Sequence, residues 1–222
     1  DPFSTVWWLG LIGSILYFVS MYQLGRSANK NQLDILRKVL GTIYLAIAVL
    51  IHPYLIYLGL WSAAESLPLH LCALSNIMAG ITMWFPNSRN FELLFYWGIA
   101  GGIHSLLTPE VTAGAQSILV LEYYFLHVNI IFAPIFLMRF YNLYPRERSW
   151  LKVFLATQIV LPVVGGINWL IDSNYMYLTH KPIAENPFII GDWPWYIIGL
   201  EVAMILHFWV IYRIYIVFNK KV

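Results

Sequence analysis

Cysteine and charge are both scarce in this chain: one cysteine stands in 222 residues, and only 11% of them are charged. A single cysteine excludes an intrachain disulfide and every zinc or redox motif that needs a pair, so Cys72 is either packing or a lone reactive thiol. No run of lysine and arginine occurs and the formal net charge is +2, which gives no reason to expect a nucleic-acid partner. Paired HxxxH and HExxH elements are missing, as are Asn-x-Ser/Thr acceptor sites and any cofactor-binding motif, so no cofactor is expected. Internal repeats and low-complexity segments are also missing, which weakens a secondary transporter of the repeat type. The apolar amino-terminal stretch has neither a basic leader nor a small-residue cleavage pattern, so it reads as a span and not as a removed signal peptide.

Apolar residues are what the chain has in excess. They make up 60% of it, and the mean hydropathy is +0.68, against about 45–50% apolar and about 25% charged in an ordinary soluble domain. The composition is that of a membrane protein. Windows of about 20 mostly apolar residues, the length that crosses a bilayer, lie at 5–24, 38–60, 67–86, 91–108, 117–141, 150–171 and 194–218. The expected fold is therefore all-α: a polytopic helical bundle with seven transmembrane helices, one domain over residues 1–222. The long connection 172–193, DSNYMYLTHKPIAENPFIIGDW, has the proline, asparagine and aromatic content of an ordered loop on the membrane surface.

Lysine and arginine in short loops set orientation. Arg26, Lys30, Arg37, Lys38, Arg89, Arg139, Arg146, Arg148, Lys152, Arg213, Lys220 and Lys221 fall on one side, and Lys181 alone on the other, beside Glu65, Glu110, Asp172, Glu185 and Asp192. The amino terminus is expected outside and the carboxyl terminus in the cytoplasm of a plasma membrane. Trp7, Trp8, Trp61, Trp193 and Trp195 then fall at the outer interface, where amphipathic indoles gather.

Ionisable groups near the bilayer centre cost about 2.5–3.5 kcal/mol each on insertion scales and are functional candidates by default. Counting the helical rise from the outer end of each span puts Asn168 at ~5 Å, His104 at ~6 Å, Cys72 at ~6–8 Å, Glu122 at ~8 Å, Glu201 at ~10 Å, His52 at ~12 Å and His127 at ~15 Å. His207 falls below the midplane and stays outside this layer, while the cytoplasmic half offers little beyond Glu92 and Gln158. Several helices contribute polar groups at one depth, which points to an outward-opening polar cavity. His52 precedes Pro53, whose ring frees a backbone carbonyl that a histidine can satisfy. His104 follows Gly98, Gly101 and Gly102, which suit either tight helix packing or a lined pocket. Glu122 and His127 are about 140° apart on one helix and need not bond each other; His127 shares its stripe with Tyr123, and Glu122 with Asn129.

The stretch LPLHLCALSN carries His70 and Cys72 into this layer. Pro68 suits a first helical turn, with Ser66 as its cap, so span three is expected to begin there. His70 and Cys72 are about 200° apart on such a helix, whereas Cys72, Ser75 and Asn76 share a stripe. His70 is thus a poor base for Cys72, and a thiolate would need a partner from another span, His104 or His127.

Several motifs carry a resemblance. LPLHLC, GGIHSLLTPE, the His127 helix followed by AP, the YPRER turn, and INWLIDSNYMYLTHKP leading into GDWPWYI resemble the YwaF-type bacterial integral membrane proteins, from span two onward. That family is similar to an animal transmembrane acyltransferase that loads polyunsaturated acyl chains onto ether phospholipids, and more remotely to membrane hydrolases of fatty-acid esters of hydroxy fatty acids. The resemblance implies a bacterial membrane enzyme with a nucleophile and a histidine, carried here by Cys72 and His127.

The leading expectation is lipid acyl transfer or hydrolysis on membrane lipids through an acyl-cysteine. In it Cys72 attacks, His127 is the base, Asn76 or Asn168 stabilises the oxyanion, and Glu122 or Glu201 orients the histidine. Two alternatives stay open. His52, His70, His104 and His127 with a glutamate would hold zinc in a hydrolase, each from its own helix, or the polar layer would bind a small polar solute for transport, with 172–193 as a lid.

Overall fold

In the computed structural model of the chain, the described residues are 2–109, 117–182 and 189–219. They form seven α-helices and one 3-10 turn, with no strand among them. The helices are α1 Thr5–Ser27, α2 Lys30–Tyr57, α3 Leu71–Trp84, α4 Ser88–Leu107, α5 Ser117–Tyr141, α6 Ser149–Ile171 and α7 Trp195–Phe218, with the 3-10 turn at Tyr175–Tyr177. This is an all-helical membrane bundle. By length and apolarity α1, α2, α5, α6 and α7 can each cross a bilayer, while α3 is apolar but short. At about 1.5 Å per residue its 14 residues extend about 20 Å, less than the ~30 Å of hydrocarbon.

Local chemistry explains why the boundaries differ from those expected. Helix α2 begins eight residues earlier because Asn29 and Gln32 form a reciprocal capping box. Helix α3 begins four residues later than the proline and serine signals suggest. The Ser66 hydroxyl is engaged by the Ser62 N–H (3.1 Å) instead of capping a helix, and the Leu67 N–H donates to the Tyr175 hydroxyl (2.8 Å). Pro68 therefore lies in a turn, and His70 takes the N-cap position with no side-chain cap bond. Helix α4 starts at Ser88 because Asn87 accepts the Asn90 N–H (2.9 Å).

Helix α5 is the hub, packing against α1, α2, α3 and α4, while α6 and α7 pair with each other and reach the rest through α4. Phe91, Leu94, Ile130, Phe132, Phe136 and Leu137 fill the α4–α5 core and are fully buried. Helices α2 and α3 approach through facing glycines: a Cβ on Gly41 would lie 3.0 Å from the Gly80 carbonyl, and one on Gly80 would lie 3.1 Å from the Gly41 carbonyl. Small residues at such crossings let membrane helices touch backbone to backbone.

The basic end of the bundle is held by two buried charges. Arg37 on α2 donates to the carbonyls of Met83 and Trp84, pairs with Asp34, and stacks 5.0 Å from the Tyr141 ring, so it caps the open carbonyls of α3. Glu92 on α4 accepts from the Arg146 backbone N–H (2.8 Å), Nε (2.9 Å) and Nη2 (2.8 Å). At the opposite end Trp7 is 6% exposed and donates to the carbonyls of Leu106 (3.1 Å) and Leu107 (3.2 Å). It closes the end of α4 and is not part of an interfacial belt; Trp8, Trp61, Trp193 and Trp195 are exposed as expected.

Candidate functional site

Because α3 starts at Leu71, Cys72 stands in its first turn, half-buried. The first intrahelical bond there runs from the Leu74 N–H to the His70 carbonyl (3.0 Å), so the N–H groups of Leu71, Cys72 and Ala73 precede the ladder. Cys72 Sγ lies 3.8 Å from Ser105 Oγ on α4. A Cβ on Gly101 would sit 2.9 Å from the same sulfur, so only glycine leaves room for the thiol at that position.

The backbone of His127 packs on the same turn of α4. The residue is 8% exposed, and a Cβ on Gly102 would come within 3.0 Å of its carbonyl oxygen. Its Nδ1 is 2.7 Å from the Tyr123 carbonyl; a carbonyl only accepts, so Nδ1 carries the proton and Nε2 is the basic nitrogen. The Tyr123 ring packs 4.2 Å from the imidazole, and its hydroxyl donates to the Ser105 carbonyl (2.9 Å). Cys72, the Tyr123 hydroxyl and the backbone of His127 thus meet residues 101–105 of α4, Ser105 among them. The partner that orients His127 is a backbone carbonyl one turn back on its own helix, not Glu122 or Glu201.

The other candidates are placed elsewhere. His104 turns to α7, where its Nε2 is 3.0 Å from His207 Nε2. His207 Nδ1 donates to the Ala203 carbonyl (2.6 Å), so in the neutral pair its Nε2 accepts from His104. Depth counted from the outer end of each span separated these two histidines, and the packing of α4 on α7 brings them together. Glu201 accepts from Gln158 Nε2 on α6. His52 Nδ1 accepts from Trp61 Nε1 (3.1 Å), and among the described residues it donates to no carbonyl near Pro53. Asn76 donates to the Tyr44 carbonyl (3.2 Å), which makes it an interhelical strap. Glu122 lies on the wall between α2 and α5. Among the described residues no three His, Cys, Asp or Glu side chains come together in a metal-binding group, so the four-helix zinc set does not assemble.

Asn168 and His70 belong to a clamp over the start of α3. Asn168 Oδ1 accepts from the Tyr175 N–H (2.9 Å) and the Ser173 hydroxyl (2.8 Å), and its Nδ2 donates to the Tyr175 carbonyl (2.9 Å). Tyr175, 1% exposed, reaches across to donate to the Ala63 carbonyl (2.8 Å) while accepting the Leu67 N–H. Burial pushes its phenol above the ordinary range, so the group is a donor at neutral pH. The Met176 N–H meets His70 Nδ1 at 3.3 Å, and the Tyr175 and Tyr177 rings lie 5.3 and 5.5 Å from the imidazole. Met176 and Tyr177 adopt left-handed φ values of 57° and 56°, a strain that folds keep where a loop must be held in one shape. Part of the loop expected at 172–193 is therefore an ordered clamp; residues 183–188 lie outside the described set. Tyr175→Phe removes both hydroxyl bonds and is expected to cost about 1–3 kcal/mol. Hydrogen exchange should then quicken at Leu67 and its neighbours before it changes in α5.

Fold and site together define a multi-pass integral membrane protein with a thiol, a histidine and two hydroxyls gathered around one turn of a central helix. The chain belongs to the TMEM164 family, the match covering residues 2–212. No curated protein and no solved structure matches it.

Proposed function

We propose that the protein transfers or hydrolyses acyl esters of membrane lipids through an acyl-cysteine, with Cys72 as nucleophile and His127 as base. The observation that carries this reading is that a first-turn cysteine on α3 and the backbone of an oriented, buried histidine on α5 pack on the same turn of α4. The resemblance of the sequence to an ether-phospholipid acyltransferase supports the same chemistry, and the basic-residue asymmetry favours an outer position for this end of the bundle.

In the first half-reaction Cys72 Sγ bonds to the ester carbonyl carbon as its proton passes to His127 Nε2. Ser105 Oγ, 3.8 Å from the sulfur, is a hydroxyl through which that proton can move. The oxyanion is held by first-turn N–H groups of α3, which lie at the positive end of the helix. The carbon–oxygen bond then breaks, and the departing lipid alkoxide takes the proton from His127. In the second half a lipid hydroxyl, or water, gives its proton to Nε2 and attacks the thioester, releasing the acyl chain to oxygen and the proton back to sulfur.

Intact-protein mass spectrometry after incubation with membrane lipids tests the reading. Wild type should gain one acyl-chain mass that hydroxylamine removes, and Cys72→Ser should lose the hydroxylamine-labile adduct. If Cys72→Ala turns over lipid as fast as wild type, the thiol has no role. Thermal stabilisation by a small polar solute, with no adduct and no lipid turnover, would favour solute binding under the same clamp.

A further inference from the structure

Glu122 takes no part in the chemistry above, yet it stands where a carboxyl is costly. It lies on a groove between α2 and α5, with Ile47, Leu50, Ile51 and Tyr54 on one side and Leu121 and Phe125 on the other, enclosing about 380 Å³. That volume is within the roughly 300–1,000 Å³ of small-molecule sites. Leu50 and Leu121 are 62% and 70% exposed, so the groove opens sideways, toward hydrocarbon. Among the described residues Glu122 is the one acidic or basic side chain in this apolar wall, and no hydrogen bond or ion pair reaches it from any of them. Its Cα–Cβ bond tilts toward the start of α5, so its carboxyl extends toward that membrane surface while the apolar walls continue inward.

We propose that this groove is a lateral lipid site for a phospholipid with a primary ammonium headgroup, its acyl chain along α2 and α5 and its ammonium on Glu122. The ammonium has the charge and the three donors that a lone carboxylate requires, and the chain has the apolar surface that the walls require. A phosphoglycerol headgroup brings hydroxyl donors but a net negative lipid, which the carboxylate repels. The site lies beyond the acyl-transfer reading: its walls include neither Cys72 nor His127, so either can fail without the other.

The test uses the full chain reconstituted in equimolar phosphatidylethanolamine and phosphatidylglycerol, with native mass spectrometry of the lipid that stays bound. A charge-assisted pair in a partly dry groove predicts about tenfold enrichment of phosphatidylethanolamine. Glu122→Gln should return the bound lipid to the bilayer ratio without lowering the melting temperature. Phosphatidylethanolamine with a diazirine in its acyl chain should label residues 47–54 and 118–125 in wild type, and Ile51→Trp should remove that labelling. Three results would overturn the proposal: a wild-type ratio equal to the bilayer's, enrichment that survives Glu122→Gln, or labelling that misses these segments. Chemical cross-linking of the groove to a second copy of the chain would overturn it as well, because the occupant would then be protein. The acyl adduct on Cys72, measured in the same samples, reports separately on acyl transfer.

Discussion

His127→Ala is expected to slow acyl transfer by about 10²–10⁴-fold, the range that a positioned general base supplies, while leaving the protein folded. Nδ1 is engaged by the Tyr123 carbonyl and Nε2 is left as the acceptor nitrogen, so the tautomer of the imidazole is already set. His127→Gln retains a side-chain donor for that carbonyl but has no basic nitrogen, and should be nearly as slow as alanine; equal rates in glutamine and wild type would make His127 a packing residue. Single-turnover kinetics separate the two half-reactions, and both should slow, since the same nitrogen takes the proton from thiol and from acceptor. The double variant Cys72→Ala/His127→Ala should be no slower than Cys72→Ala alone, because groups that act as one unit are not additive.

Arg146→Ala is expected to cost about 3 kcal/mol of stability, the scale of a buried pair broken by removing one partner. The Glu92 side chain is 4% exposed and that of Arg146 is 49% exposed, so the substitution leaves a carboxylate in the core with only the backbone N–H of residue 146 to solvate it. Arg146→Lys retains the charge but loses the planar fork that meets both carboxylate oxygens, and should lose less. Thermal unfolding in one detergent ranks the three proteins: wild type, lysine, alanine. The Arg146–Glu92 pair lies at the basic end, away from Cys72, so turnover per folded molecule should stay constant across the series. A fall in turnover without a fall in melting temperature would mean that the α4 register, and not stability alone, depends on this pair.

Much of the architecture was legible in residue order. Apolar windows mark the helices because hydrocarbon tolerates only backbone that bonds within its own segment. The positions of lysine and arginine mark the ends because those groups stay out of the membrane. His127 with Tyr123 was legible too, since four residues on a helix is one turn. What was not legible are the contacts that depend on how high each helix starts and how it crosses its neighbour.

The sequence by itself determined an all-helical membrane bundle, its basic end, and a histidine and a cysteine set apart from their apolar surroundings, because these follow from periodicity, composition and the cost of charge in hydrocarbon. Only the tertiary structure decided that Cys72 opens a helix, since the Ser66 hydroxyl that would cap an earlier start is engaged by the Ser62 N–H and the Leu67 N–H is held by Tyr175, 108 residues away. It also turned His104 toward His207 and left Glu122 on a lateral groove. Hydrogen bonds between distant segments select among the few local conformations that a short polar stretch allows, and that selection is a property of the packed bundle.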